Sequence, residues 1–194
     1  MIEITLLLAG AVGYLLGAVP TGVVICRVTR GTDVRQHGSG HTGGLNVSRA
    51  AGVWAGALTA LGDAFLGAAA VAVATLLTEN PWAATMAGLL AVVGHDWSIF
   101  IGFDGGIGLA KLSGALLCLS PLCALEAIGI LIPLWLLLTG LLHLHRARAT
   151  ILAMITAGLL LWALGAPPQG ILLGALGGVV VIIKTLPDWN RQYE

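Results

Sequence analysis

Residues 4–26 read ITLLLAGAVGYLLGAVPTGVVIC, a run without a single charged side chain. As a helix rising 1.5 Å per residue, such a run crosses the ~30 Å hydrocarbon core of a bilayer. A cleaved leader would need a basic start and a shorter apolar core. Here Glu3 precedes the run instead, so it is expected to be a retained first span.

The rest of the chain repeats the pattern. Hydrophobic residues make up 58% of the 194 positions and charged residues only 9%, with a mean hydropathy of +0.97. A water-soluble domain cannot clothe its exterior with so few charges. The expected fold is therefore an all-α polytopic membrane protein, one domain over residues 1–194, with about seven transmembrane helices. The spans are placed at 4–26, 52–77, 82–103, 109–119, 122–142, 150–164 and 170–186. The fourth is short enough to be a half-span or a re-entrant helix, closed by Ser120-Pro121, and backbone of that kind needs protein or a water-filled cavity around it.

Seven spans place all nine Lys and Arg side chains on one face. Glu3 and Glu79 fall on the other. By the positive-inside rule the N-terminus is then outside and the C-terminus cytoplasmic. Glycines within spans are expected at close helix crossings, with Gly174, Gly177 and Gly178 as one example. Cys26, Cys118 and Cys123 have no metal-type spacing and are expected to pack as small apolar residues. The sequence implies no cofactor and no metal. Basic residues are too few and too close to the membrane for nucleic acid.

The polar chemistry is concentrated in short loops. Residues 30–49 read RGTDVRQHGSGHTGGLNVSR, with four glycines in 38–44 among hydroxyls, imidazoles and arginines. Backbone N–H groups of such a loop can turn inward as an anion cradle, with Ser39 and Thr42 adding donors and Arg35 or Arg49 adding charge. The competing reading is a solvated connector. A second stretch, FDGGIGLAK at 103–111, opens the short fourth helix, so Gly105, Gly106 and Gly108 precede a helix N-terminus and Lys111 lies a turn inside. His95 near the end of the third span is either functional or an interhelical hydrogen bond. Asp63, mid-span, needs a partner, expected to be an arginine or histidine from the loops. His143, His145 and Arg146 read as headgroup-facing residues.

These stretches, in this order and spacing, resemble the bacterial PlsY family, the acyl-phosphate-dependent glycerol-3-phosphate acyltransferases. The family pattern GSGNxGxTNxxR stands here as GSGHTGGLNVSR at 38–49. Asp63 and Gly67 fit DxxKG, Gly94-His95 fits a GH pair, and GGKGVAT appears as GGIGLAK at 105–111. A third pattern near HRENxxR falls on TLPDWNR at 185–191, where only the arginine is kept. His41 stands for Asn, Leu45 for Thr, Leu66 for Lys and Ile107 for Lys.

The resemblance implies a multi-pass protein of the bacterial cytoplasmic (inner) membrane, active on its cytoplasmic face, that moves an acyl group from acyl phosphate to glycerol 3-phosphate in phospholipid biosynthesis. It implies Ser39 and His95 as catalytic residues, and His41, standing where the family has Asn, is expected to join them in acid–base chemistry that an asparagine cannot perform. Arg35, Gly38, Gly40, Asn46, Arg49, Gly105, Gly106, Gly108 and Lys111 would bind substrate, with Lys111 returning a charge lost at Ile107. Membrane lipid is the other expected partner; the oligomeric state is left open, a monomer being compatible. Two further functions fit the same residues: a weakened paralogue that binds lipid precursors or a partner enzyme, and a small transporter, for which no inverted repeat is visible.

Overall fold

The computed structural model describes residues 2–191, and these contain helices and turns but no strand. In chain order the helices are α1 (Ile2–Ala18), α2 (Thr21–Arg30), α3 (Gly44–Ala51), α4 (Val53–Leu77), α5 (Pro81–Asp96), α6 (Leu109–Leu119), α7 (Pro121–Leu136), α8 (Arg146–Ala163) and α9 (Pro168–Thr185). A π-helical turn, Leu137–Leu141, extends α7, and a 3₁₀ turn, Leu186–Asp188, follows α9. Among the described residues six segments are long and apolar enough to cross a membrane: Ile4–Arg30, Val53–Leu77, Pro81–Ile101, Pro121–Leu141, Arg146–Ala163 and Pro168–Asp188. The seventh expected span is α6, whose eleven residues reach only ~17 Å. The side chain of Glu3 lies outside the described residues.

The helices meet through their small residues. On α1, Gly13 and Gly17 rest on the backbone of Ala87 and Ala91 in α5. Gly67 of α4 rests on the Lys111 carbonyl, and Gly114 of α6 rests on Ala64 of α4. On α9, Gly174 receives Leu161, Gly177 receives Leu112 and Gly178 meets the Met154 carbonyl. Lipid tails are as apolar as leucine, so helices in a bilayer gain by close van der Waals approach rather than by escaping water. Large apolar side chains such as Leu7, Phe65, Leu76 and Leu122 point outward, as a lipid-facing surface requires.

Four boundaries depart from the sequence expectation. The first span is not one helix: it breaks at Val19-Pro20, because proline has no N–H and pushes its predecessor out of helical backbone. The Ala18 carbonyl is taken by the Ser98 hydroxyl at 2.5 Å. The third helix ends at Asp96 instead of running to 103; a 3₁₀ turn at Ile99–Ile101 follows, then Gly102 and Phe103 with φ of 70° and 64°. The first loop contains a helix, α3, that buries Val47 against Val23, Cys26 and Val34. Finally, α8 begins at Arg146 instead of Thr150, with His145 Nδ1 capping the Ala147 N–H at 3.3 Å.

The breaks lie together. The first loop, the turn after α5, the start of α8 and the segment after α9 touch one another on a single face. Residues 78–80 and 164–167 lie at the other end, where Thr85 donates to the Gln169 carbonyl.

Candidate functional site

The first loop is shaped from within by Asn46. Its amide nitrogen faces the carbonyls of Val34, His37 and His41 at 3.1, 2.9 and 2.9 Å. Its oxygen accepts from the Ser39 N–H at 3.1 Å. The Gly40 N–H is likewise spent, on the His37 carbonyl. The expected cradle of free amides is therefore replaced by a stapled turn in which Gly38 and Gly40 take φ of 51° and 77°, a region open mainly to glycine. What this turn presents is the Ser39 side chain, with two guanidiniums nearby. Arg49 Nη1 and Arg191 Nη2 lie 3.8 Å from where a Cβ would stand on Gly38 and on Gly40.

Arg35 belongs to the frame as well. Its Nε and Nη2 hold the two oxygens of Asp33 at 3.1 and 2.8 Å, while Nη1 donates to the Ile101 carbonyl at 2.9 Å. Hydrogen bonds from Arg35 hold the Asp33 carboxyl well below the usual carboxylate range, and Asp33 in turn raises the guanidinium further. This clamp ties the first loop to the turn after α5.

The second glycine loop packs directly on the end of α5. Gly105 N–H reaches the Asp96 carbonyl and Gly106 N–H the His95 carbonyl. A side chain at Gly106 would overlap His95 Nε2, and one at Gly108 would come within 2.7 Å of Asp96 Oδ1. These glycines are required by close approach, and the outcome is that His95 presents Nε2 to the loop.

Beneath the loops lies a charged cluster built from four helices. Asp63 (α4) is within 3.5 Å of His95 Nδ1 (α5) and 3.2 Å of Lys111 Nζ (α6), and it accepts from the Thr21 hydroxyl (α2). Lys111 is fully buried, and its contact is an ion pair without an aligned hydrogen bond. Two expectations change here. Asp63 is met by a helix histidine and by Lys111, with no arginine among the polar partners found. Lys111 points inward to Asp63 and returns no charge to the loops.

The segment after α9 closes the arrangement. Asp188, buried to 2% exposure, binds His41 Nε2 through one oxygen and Arg191 Nη1 at 3.3 Å through the other. His41 Nδ1 lies 3.5 Å from the Gly105 carbonyl. From α8, His145 meets the Arg191 carbonyl at 2.8 Å, and Arg148 reaches Asn190 Oδ1 at 2.5 Å and stacks over Trp189. His145, read from sequence as headgroup-facing, thus fastens this segment. Beside Arg191 opens a cleft of about 700 Å³ whose wall includes Trp135 and Leu136 and whose rim carries Arg146.

The structure gathers Ser39, His41, Gly105 and Arg191 around the first-loop turn, with Arg49 beside Gly38 and His95 facing Gly106. Asn46 and Arg35 frame it, and Lys111 lies below. Asp188, Arg191 and Thr21 were missed as site residues. The third pattern over 185–191 was the signal available for Asp188 and Arg191, and the Pro20-Thr21-Gly22 approach the one for Thr21. Chemically, two guanidiniums, a hydroxyl and an imidazole beside a cleft walled by Trp135 and Leu136 suit an anionic reactant that carries an apolar chain.

Comparison with known proteins adds to this. The family described as "Glycerol-3-phosphate acyltransferase" matches residues 7–193. A protein of that name from Synechococcus sp. (strain JA-3-3Ab) is 43% identical over 91% of this chain and 84% of its own. One from Rubrobacter xylanophilus is 37% identical over 94% of this chain and 87% of its own. Two crystal structures of PlsY (YgiH), described as an integral membrane glycerol 3-phosphate acyltransferase, have a similar fold. The glycerol 3-phosphate form has a TM-score of 0.81 at 32% identity, and the lysophosphatidic acid form 0.78 at 30%; each comparison covers 96% of this chain and 90% of the other.

Proposed function

This chain belongs to the glycerol-3-phosphate acyltransferase family, and we propose that it acylates glycerol 3-phosphate from an acyl phosphate, on the cytoplasmic face of a bacterial inner membrane. The orientation rests on charge: the basic residues gather on the loop face, as the positive-inside rule has it for a cytoplasmic face. The acceptor hydroxyl attacks the acyl carbonyl, a new C–O ester bond forms, the acyl–phosphate bond breaks, and inorganic phosphate leaves with the electron pair. The product is a lysophosphatidic acid, made as an early step of phospholipid biosynthesis.

One observation carries the reading: the Ser39–Gly40 turn, the Gly105–Gly108 loop and the Asp188–Arg191 segment meet at His41. An acyl phosphate is already activated, so no covalent acyl-enzyme is needed and the work is positioning and charge stabilisation. Arg49 and Arg191 flank the turn and neutralise phosphate. Ser39 supplies a hydroxyl to the same group. His95, held by Asp63 through Nδ1, turns Nε2 toward the glycine loop and polarises a reactant there. The start of α6, with Gly105, Gly106 and Gly108 before it, favours the second anion. The cleft walled by Trp135 and Leu136 receives the acyl chain, with Arg146 and Arg191 at its polar end.

Purified protein in detergent, given acyl phosphate and glycerol 3-phosphate, should release phosphate and form lysophosphatidic acid in equal amounts. Both products should fall at least a hundredfold in Ser39→Ala and in Arg49→Ala. Folded protein that binds both substrates and forms no product would mark a weakened paralogue. Equal turnover in the variants would remove the first loop from the site.

A further inference from the structure

The pairing of His41 with Asp188 joins two segments 147 residues apart in sequence. It is buried, with side-chain exposures of 14% and 3%. Asp188 does two things at once. One oxygen fixes the His41 ring, whose Nδ1 faces the Gly105 carbonyl, and the other holds Arg191, whose Nη2 stands beside Gly40. The His41 backbone N–H also reaches the Ser39 oxygen at 3.4 Å, so the hydroxyl of the turn is registered to the same residue.

Two carboxamides at these two positions would also hydrogen-bond to each other side by side, one donating and one accepting, which gives the contact a neutral replacement.

We propose that Asp188 is a positioning residue of the acyltransferase site, acting through its contact with His41. It locks the segment after α9 onto the Ser39 turn and so sets Arg191 against bound phosphate. This inference rests on the acyltransferase reading above for the identity of the site, and on the observed pair for its mechanism.

The test is a double-mutant cycle with a replacement arm. Asp188→Ala and His41→Ala should each raise KM for a phosphate-bearing substrate tenfold or more, with a smaller fall in kcat. The double alanine variant should be within about twofold of the worse single variant, because neither residue positions anything without the other. His41→Asn combined with Asp188→Asn should recover to within about fivefold of the unmodified protein. Alanine losses that multiply, or a double-asparagine variant that is unfolded or no better than double alanine, overturn the proposal. Turnover of the unmodified protein tests the acyltransferase reading separately. Should it be absent, the same cycle is read as the thermal shift caused by glycerol 3-phosphate, with the same pattern expected and the same patterns overturning it.

Discussion

The Asp63–Lys111 ion pair makes a quantitative prediction, because each partner is left in a different position when the other is removed. Both side chains are buried, to 1% and 0% exposure. Stripping the charge from one member of a buried pair costs roughly 3–5 kcal/mol, since the other charge stays in low dielectric unpaired. Asp63→Asn should fall at the upper end, because the Lys111 ammonium then faces no carboxylate and has no hydrogen-bond partner among the described residues. Lys111→Met should fall at the lower end, because Asp63 keeps Thr21 and His95. For a chain of this size each kcal/mol moves the melting midpoint by about 2–4 °C. The two variants should therefore lose between about 6 and 20 °C, Asp63→Asn more than Lys111→Met. Combining them removes the whole pair, which is often close to neutral, so the double variant should melt above Asp63→Asn alone. The assay is thermal unfolding in one detergent, followed by tryptophan fluorescence. Single shifts that simply add, or a Lys111→Met midpoint equal to that of the unmodified protein, would sink the pairing.

Three further outcomes are expected. Gly106→Ala has a backbone that tolerates a side chain, yet its methyl would overlap His95 Nε2; the variant should fold and lose at least tenfold in kcat/KM, and full activity would refute the placement of His95. Ser98→Ala strands the Ala18 carbonyl, so it should cost ~1–3 kcal/mol, read as a lower melting midpoint; an unchanged midpoint would show that the break at Pro20 is satisfied otherwise. The Asp33 carboxyl is depressed in the folded state, so its stabilisation is full above its unfolded value of ~3.9 and is lost as pH falls below that toward its folded value. Asp33→Asn should accordingly flatten the acid limb of a stability–pH curve below about pH 4, and a parallel curve would contradict the clamp.

Much of the fold was legible because hydropathy reports what lies in lipid. The spans at 52–77 and 109–119 match α4 and α6 within a residue or so. Hydropathy is blind, however, to a missing N–H, which is why the run through Val19-Pro20 read as one helix. Helix α3 was hidden because its eight residues are amphipathic and its apolar side depends on Val23 and Val34 from other segments.

The site was legible as a set of loops and illegible as a set of contacts. Asn46 and the glycines around it signalled a built turn, but spacing does not say whether an amide faces a ligand or its own backbone. Asp63 was expected to meet an arginine or a histidine from the loops, and the histidine it meets, His95, comes from α5. Arg27 and Arg35 are occupied by Asp33 outside the membrane, and the cation that comes instead lies a turn into α6. Such pairings depend on how helices cross, which no local pattern encodes.

The contact between residues 41 and 188 also sets a timetable. Every partner of Asn46 lies within twelve residues of it, so the first loop can take its shape almost as soon as it leaves the ribosome. Its lock is made 147 residues later, which at ~5–20 residues per second is roughly 7–30 s of synthesis. Through that interval the nascent chain already threads the bilayer, while Arg191 has yet to be made. The contact that joins the two ends of this face therefore closes only after the last span, 168–188, has been made.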